Sequence, residues 1–324
     1  MERLAAFIAV ASGAGSVRID RYERLGGGAI QENVALDVCI DGREHALVLR
    51  KDAPSRLAVS RTRAEEFALL CAAFAAGVSV PEPLWASDDP AIAGTPFFIM
   101  RRAAGTAVGR RIVRDHTLGG ERATLAARLA EQLARIHAIR PPRADLSFLG
   151  APPVAHDFVA AAYAFLDDTG RTEPALELGL RWLDVNAPAP ADTVLVHRDF
   201  RTGNYLVDTN GITAILDWEF AGWGDPHEDI GWFCAWCWRF GANDREAGGI
   251  GSRADFYAAY ERASGRTVDD ARVRYWEIFA HARWAVIARR QTQRHLDGSE
   301  RSLELLLIGT LEPELDDMLL RGIA

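Results

Sequence analysis

"VLVHRDFRTGNYLVD", residues 194–208, decides how the rest of this chain is read. Two apolar runs, "TVLV" and "YLVD", flank a short polar break that carries Asp199, Arg201 and Asn204. Apolar, β-branched runs of this length predict strands, and the break between them predicts a loop. The next apolar run, "ITAILDWE", reaches Asp217 at its end. The spacing therefore predicts a small hairpin region that gathers Asp199, Asn204 and Asp217.

Asp and Asn are common turn formers, so any one of the three alone says little. Together, in order and beside strands, they form the set that phosphoryl transfer from ATP needs. One carboxylate orients the attacking hydroxyl and accepts its proton, and hard oxygen ligands hold Mg²⁺ against the phosphates. The transition state is loose and highly charged, so positioning and charge neutralisation carry most of the catalysis.

Moving toward the N-terminus, "NVALDVCI" and "HALVLR" alternate with period two around Asp41-Gly42, which predicts a β-hairpin. "SRTRAEEFALLCAAFAAG" has helical spacing of its apolar residues and stops at Gly77. "VSVPEPLWAS" and "TPFFIMRRAAG" read as further strands, with prolines marking edges or bends. The first hundred residues are expected to form a mostly antiparallel sheet with one inserted helix. After Gly105 the pattern turns helical, beginning with "ERATLAARLAEQLARIHAI". The fold class is therefore α+β in two lobes, residues 1–103 and 104–324, joined through the "RRAAGTAVG" connector at 101–109. The N-terminal "MERLAAFIAVASGAG" reads as a short helix on the first lobe, because Glu2 sits where a signal peptide needs basic residues.

The 324 residues carry a formal net charge of −8, with 49% hydrophobic and 25% charged residues. That balance excludes disorder and general nucleic-acid binding, which needs a basic face. No apolar run is long enough for a membrane span. A cytoplasmic monomer or homodimer is expected. Cys234 and Cys237 form a C-x-x-C in "GWFCAWCWRFG", but no second pair completes a zinc site, so they read as packing residues of a buried, Trp-rich helix.

The spacing H-R-D-F-R-T-G-N resembles the protein-kinase catalytic loop, with Phe200 at its Leu position. With "LDWE" and "GDPHED" it is similar to the aminoglycoside phosphotransferase-like family of small-molecule kinases, Arg198 replacing the usual Gly. "GDPHEDIGWFCAWCWRFG", "AAYERASGRTV" and "ARWAVIARRQ" resemble the branch found as the kinase-like domain of some acyl-CoA dehydrogenases. The resemblance spans about Gly26 to about Gln293. It implies a kinase-like fold that uses ATP, with GTP as the alternative donor, Mg²⁺, and a small-molecule hydroxyl acceptor. A protein kinase fits less well, since "DWE" stands for D-F-G and no A-P-E follows. An aminoglycoside kinase proper and a nucleotide-binding pseudokinase are the alternatives.

The resemblance also implies roles. Asp199 would be the base, with Arg201 touching the transferring phosphate. Asn204 and Asp217 would hold Mg²⁺. Asp225 and Asp229 would tie the loop to the following helix, and His197 would brace it. Gly27 and Gly28 would lie in the loop over the phosphates, although "LGGGAIQENVALDV" reads equally as a plain glycine turn. A third-strand cation should pair the α- and β-phosphates, and the candidates are Arg50 and Lys51. Only one can face the cleft. Strand period and resemblance favour Arg50, which puts Val48 on the adenine face. Its helix partner is Glu65 or Glu66, and the resemblance favours Glu66. Met100 would back the adenine, with backbone groups of Arg101 and Ala103 on the base edge.

Overall fold

The computed structural model describes residues 1–25, 31–52, 61–170, 172–189 and 192–324. Strands β1 (Val17–Arg24), β2 (Gln31–Ile40) and β3 (Arg43–Asp52) form an antiparallel meander. Asp41 and Gly42, at φ 46° and 80°, give the β2–β3 turn the left-handed backbone that a two-residue hairpin loop requires. Strands β4 (Pro83–Ser87) and β5 (Phe97–Arg101) complete a five-stranded sheet of order β1-β2-β3-β5-β4.

Leu47 to Arg50 of β3 are buried without a break, because each face of the strand is covered by a different partner. Leu47 and Leu49 pack with Phe97, Ile99 and with Leu4 and Ile8 of helix α1 (Glu2–Ser12). Val48 and Arg50 fall on the other face, paired across the ladder with Met100 and Phe98. Helix α2 (Arg63–Ala75) covers part of that face through Phe67, Leu69 and Leu70. Thr62 caps α2 and Glu65 answers in a reciprocal capping box, which anchors the start of the helix. A four-residue helix, α3 (Pro90–Ala93), links β4 to β5.

The rest is mainly helical: α4 (Gly109–Arg114), α5 (Arg122–His137), α6 (Ala155–Thr169) and α7 (Pro174–Val185) come first. Leu125, Leu129 and Leu133 recur every fourth residue on α5, are fully buried, and contribute about 1.5–3 kcal/mol each. After a strand-containing segment follow α8 (Pro226–Cys234), α9 (Arg253–Ser264), the 27-residue α10 (Asp270–Leu296), α11 (Leu303–Gly309) and α12 (Glu312–Ile323). Helix α9 lies along α5, while α6, α7, α10 and α12 share a second core around Leu176, Leu180, Ile278 and Leu319. This is the kinase-like α+β fold of two lobes expected from the sequence. Among the described residues no helix is long and apolar enough to cross a membrane.

Two expectations need correction. The strands flanking the 197–204 loop do not pair with each other as one hairpin. β6 (Val194–Val196) pairs with β9 (Gly222–Gly224), and β7 (Tyr205–Val207) pairs with β8 (Ile212–Ile215). Three-residue strands have too few ladder bonds to choose a partner locally, so tertiary packing chooses it. The C-x-x-C does not lie within one helix either. Cys234 ends α8, and Cys237 sits in the separate single turn Trp236–Trp238.

Candidate active site

The 197–204 loop bridges the two short ladders, and its shape is held by buried hydrogen bonds. Asp229, fully buried on α8, accepts from the backbone N–H groups of His197 and Arg198, each at 2.7 Å, and meets His137 Nε2 at 3.2 Å. Burial pushes the Asp229 carboxyl up, but His137 and the His197 N–H outweigh it and hold it below its ordinary range. His197 Nε2–H donates to Leu216 O at 2.9 Å, and its Nδ1 accepts from the Asp199 N–H at 3.3 Å. The ring therefore acts as a brace. Asp225 does not tie the loop; it caps α8 and pairs with His227 and Arg272. Arg198 adopts φ 62°, a left-handed backbone that favours glycine.

Asp199 is 8% exposed. One carboxylate oxygen accepts from Trp232 Nε1 at 2.9 Å and from Arg201 Nε at 3.0 Å. The other accepts from the Asn204 side-chain amide, which also donates to the Asp199 carbonyl at 3.0 Å. Asn204 is linked onward through its carbonyl, which accepts from the Leu216 N–H at 2.8 Å and ties the loop to the residue before Asp217. Asp217 itself sits at φ 68° with a third of its side chain exposed.

Arg50 joins the two lobes. Its guanidinium lies 2.9 Å from Glu66 and 2.8 Å from Asp217. Burial pulls the guanidinium down, and Glu66 and Asp217 together hold it above its ordinary value. Lys51 points to the opposite face, 3.5 Å from Glu32. Glu65 is spent on the α2 cap, accepting from the Thr62 N–H at 2.8 Å, whereas Glu66 is buried between Arg50 and Arg63.

Between the lobes is a cavity of about 460 Å³. Val48 and Met100 line it from the sheet, and Leu206 and Ile215 line it from below. Arg50, Glu66, Asn204 and Asp217 gather at its polar end, and Arg101 and Ala103 edge it where the lobes join. The Arg101 N–H is taken by Glu82 O at 2.9 Å, and its side chain pairs with Glu82 outside. Gly105 approaches the Val207 backbone so closely that a Cβ would lie 2.5 Å from Val207 O, which only glycine allows. Gly27 and Gly28 lie outside the described residues.

The cysteines stand apart from this chemistry. Both are free thiols, and burial pushes Cys234 up to about 12 and raises Cys237 as well. Among the described residues no cluster of three or more His, Cys, Asp or Glu side chains could hold a metal ion. A cation here would depend on fewer carboxylates.

Trp232 was not singled out by motif. It stands three residues after Asp229 on α8, so the two share a helix face turned to the loop. The Glu65–Glu66 choice did have a signal: Thr62 followed three residues later by Glu65 is a capping-box signature, which leaves Glu66 for the strand cation.

A model of the phosphotransferase enzyme family matches residues 21–276. Acyl-CoA dehydrogenase family member 11 of Pongo abelii is 27% identical over 282 residues, 82% of this chain and 36% of that protein. Family member 10 of Mus musculus is 30% identical over 203 residues, 59% of this chain and 18% of that protein. The chain thus spans well under half the length of these relatives. Among solved structures, a candidate aminoglycoside phosphotransferase from Ralstonia eutropha superposes with a TM-score of 0.79 at 22% identity, over 99% of this chain and 97% of that one. A thermostable mutant of the aminoglycoside phosphotransferase APH(4)-Ia, in a ternary complex with ADP and hygromycin B, superposes with a TM-score of 0.62 at 18% identity, over 98% of each chain. Identities this low speak for the fold.

Proposed function

The chain belongs to the phosphotransferase enzyme family, and from that premise we propose that it moves the γ-phosphoryl group of ATP to a hydroxyl of a small molecule. The observation that carries this is the linkage of Asp199 to Asn204 at the edge of a cavity shared with Asp217 and Arg50. Asp199 takes the proton of the acceptor hydroxyl while that oxygen bonds to the γ-phosphorus. The bond from phosphorus to the β–γ bridging oxygen breaks, and ADP leaves with its electron pair. Arg201, 3.0 Å from Asp199, offers charge to the phosphoryl group in flight.

Arg50, steered by Glu66, pairs with the α- and β-phosphates as a bidentate cation. Val48 and Met100 cover the base, whose edge meets the Arg101 carbonyl and the Ala103 N–H at the junction of lobes 1–103 and 104–324. GTP is the alternative donor. The donor set suits Mg²⁺. Asn204 spends its NH₂ on Asp199, which leaves its amide oxygen for a cation, and Asp217 keeps an exposed carboxylate. Asn204 and Asp217 would suffice as protein ligands, since Mg²⁺ is commonly held by one or two protein groups beside substrate phosphates, and the ion would supply neutralisation of the phosphate charge.

The test is Mg²⁺-dependent ADP release across aminoglycosides, macrolides, choline, amino-alcohols, sugars and hydroxy acids. The neighbour seen with hygromycin B keeps antibiotics on that panel. Asp199→Ala should lower turnover by at least about 10³-fold while Mg-ATP still binds. Asp217→Ala should weaken nucleotide binding only when Mg²⁺ is present. Retained transfer by the Asp199 variant overturns the assignment, and absence of nucleotide binding points instead to a pseudokinase.

A further inference from the structure

Near Asp199, outside the lining of the nucleotide cavity, lies an arginine with carboxylates in its surroundings but none of the described ones within ion-pair distance. Arg283, on α10, stacks its guanidinium 4.8 Å from the ring centre of Trp232 and 5.7 Å from that of Phe220. Trp232 is the residue whose indole N–H donates to Asp199, so Arg283 lies one aromatic ring from the carboxylate proposed to take the proton. The Arg283 hydrogen bond described is a single one, from Nη1 to the Arg198 carbonyl at 3.0 Å. It makes no ion pair with a described residue.

The neighbouring charges are committed elsewhere. Arg201 pairs with Asp199, and Arg198 pairs with Glu228 at 3.3 Å. Asp229 sits behind the loop with both oxygens taken by the backbone and His137. Burial lowers the Arg283 guanidinium from its ordinary value despite the pull of Glu228 and Asp199. A second donor is left over in the same aromatic cluster. Trp238, whose ring lies 4.4 Å under the Arg201 guanidinium and 5.3 Å from Trp232, has a buried Nε1–H with no acceptor among the described residues.

A guanidinium that spends one N–H group on the Arg198 carbonyl has further N–H donors, and their fork matches a carboxylate or a phosphate. A polycationic acceptor would meet repulsion at the same place. Resting on the proposed hydroxyl phosphotransfer, we infer that the acceptor is an anionic alcohol, with its carboxylate or phosphate held by Arg283 and its hydroxyl presented to Asp199.

Calorimetric binding in the presence of Mg-AMP-PNP tests this without requiring turnover. The probes are 3-hydroxybutyrate and glycerol 3-phosphate, with 3-hydroxybutyramide and glycerol as neutral counterparts and choline as the cation. At least one anion should bind about tenfold or more tighter than its neutral counterpart, a factor expected of a charged hydrogen bond, and which anion it is separates carboxylate from phosphate. Arg283→Gln should erase the preference and Arg283→Lys should retain part of it, with Mg-AMP-PNP affinity within about twofold as the check on folding. Equal binding of charged and neutral partners, tighter binding of choline, or an unchanged preference in Arg283→Gln would each overturn the inference. ADP release measured on the same samples keeps the two readings apart. An anion that binds through Arg283 but is never phosphorylated by any donor counts against phosphotransfer and leaves the anion site standing.

Discussion

The two halves of the cleft are built in opposite ways. On the side proposed for the nucleotide, Val48 and Arg50 come from one strand, and period-two alternation aims both into the cavity. On the side proposed for the acceptor, Asp199 is held by Trp232 of α8 and neighboured by Arg283 of α10, groups 33 and 85 residues from the loop positions they touch. A strand presents its side chains by local geometry. A surface assembled from separate helices depends on how those helices pack, so it tolerates exchange of one residue without loss of the fold.

The comparison can be broken first at β3. Arg50→Met should destabilise the protein by about 1–3 kcal/mol, because buried Glu66 keeps Arg63 but loses its second cation, and should lower kcat/KM for ATP by about 10²-fold. Lys51→Met should change neither by more than about 1 kcal/mol. Thermal melts and steady-state kinetics on both variants decide it, and a Lys51 effect as large as that of Arg50 would mean that strand alternation does not set the nucleotide side.

A smaller effect should mark the packing behind the acceptor side. His281 of α10 is 7% exposed, its Nε2 accepts from the Trp236 N–H at 3.2 Å, and burial holds it down at about 4. Its folded value lies below its unfolded value, so its contribution to stability is complete above pH 6.5 and is lost as pH falls from there toward 4. The loss amounts to about 3 kcal/mol at most. Tryptophan fluorescence should report the loosening, since Trp232, Trp238 and Trp284 pack together beside it. His281→Gln should flatten the melting temperature between those two pH values, and an unchanged slope would assign the acid sensitivity to another group.

The smallest effect tests how Asp199 is aimed. Trp232→Phe keeps an aromatic ring near Arg283 and removes the N–H on Asp199. Turnover should fall about tenfold with the KM for ATP unchanged, a split that a general packing defect would not give. A rise in the KM for ATP with unchanged turnover would place Trp232 outside the acceptor side.

What the sequence made legible follows the same division. The loop Asp199–Asn204, the strand pattern around Arg50 and the long helices are short-range signals, each readable within about 20 residues. Thr62 and Glu65 were legible too, as a helix cap. The pairing of β6 with β9 was not, because two three-residue strands 25 residues apart carry no register of their own until the helices around them pack. Arg283 lies in the stretch "ARWAVIARRQ", but nothing there separated it from Arg289 and Arg290, in a chain with a single lysine and many arginines. Only its stacking and its want of a carboxylate single it out.

Arg50 also carries a consequence for how the chain is made. Its two counter-ions, Glu66 and Asp217, are far from equal in time: one leaves the ribosome soon after the arginine, and the other stands 167 residues further on. At about 5–20 residues per second that interval is roughly ten to thirty seconds. During it Arg50 has only the nearer of its two ion-pair partners. Synthesis of Asp217 then closes the arginine over, and the nucleotide side is completed by the lobe that is made last.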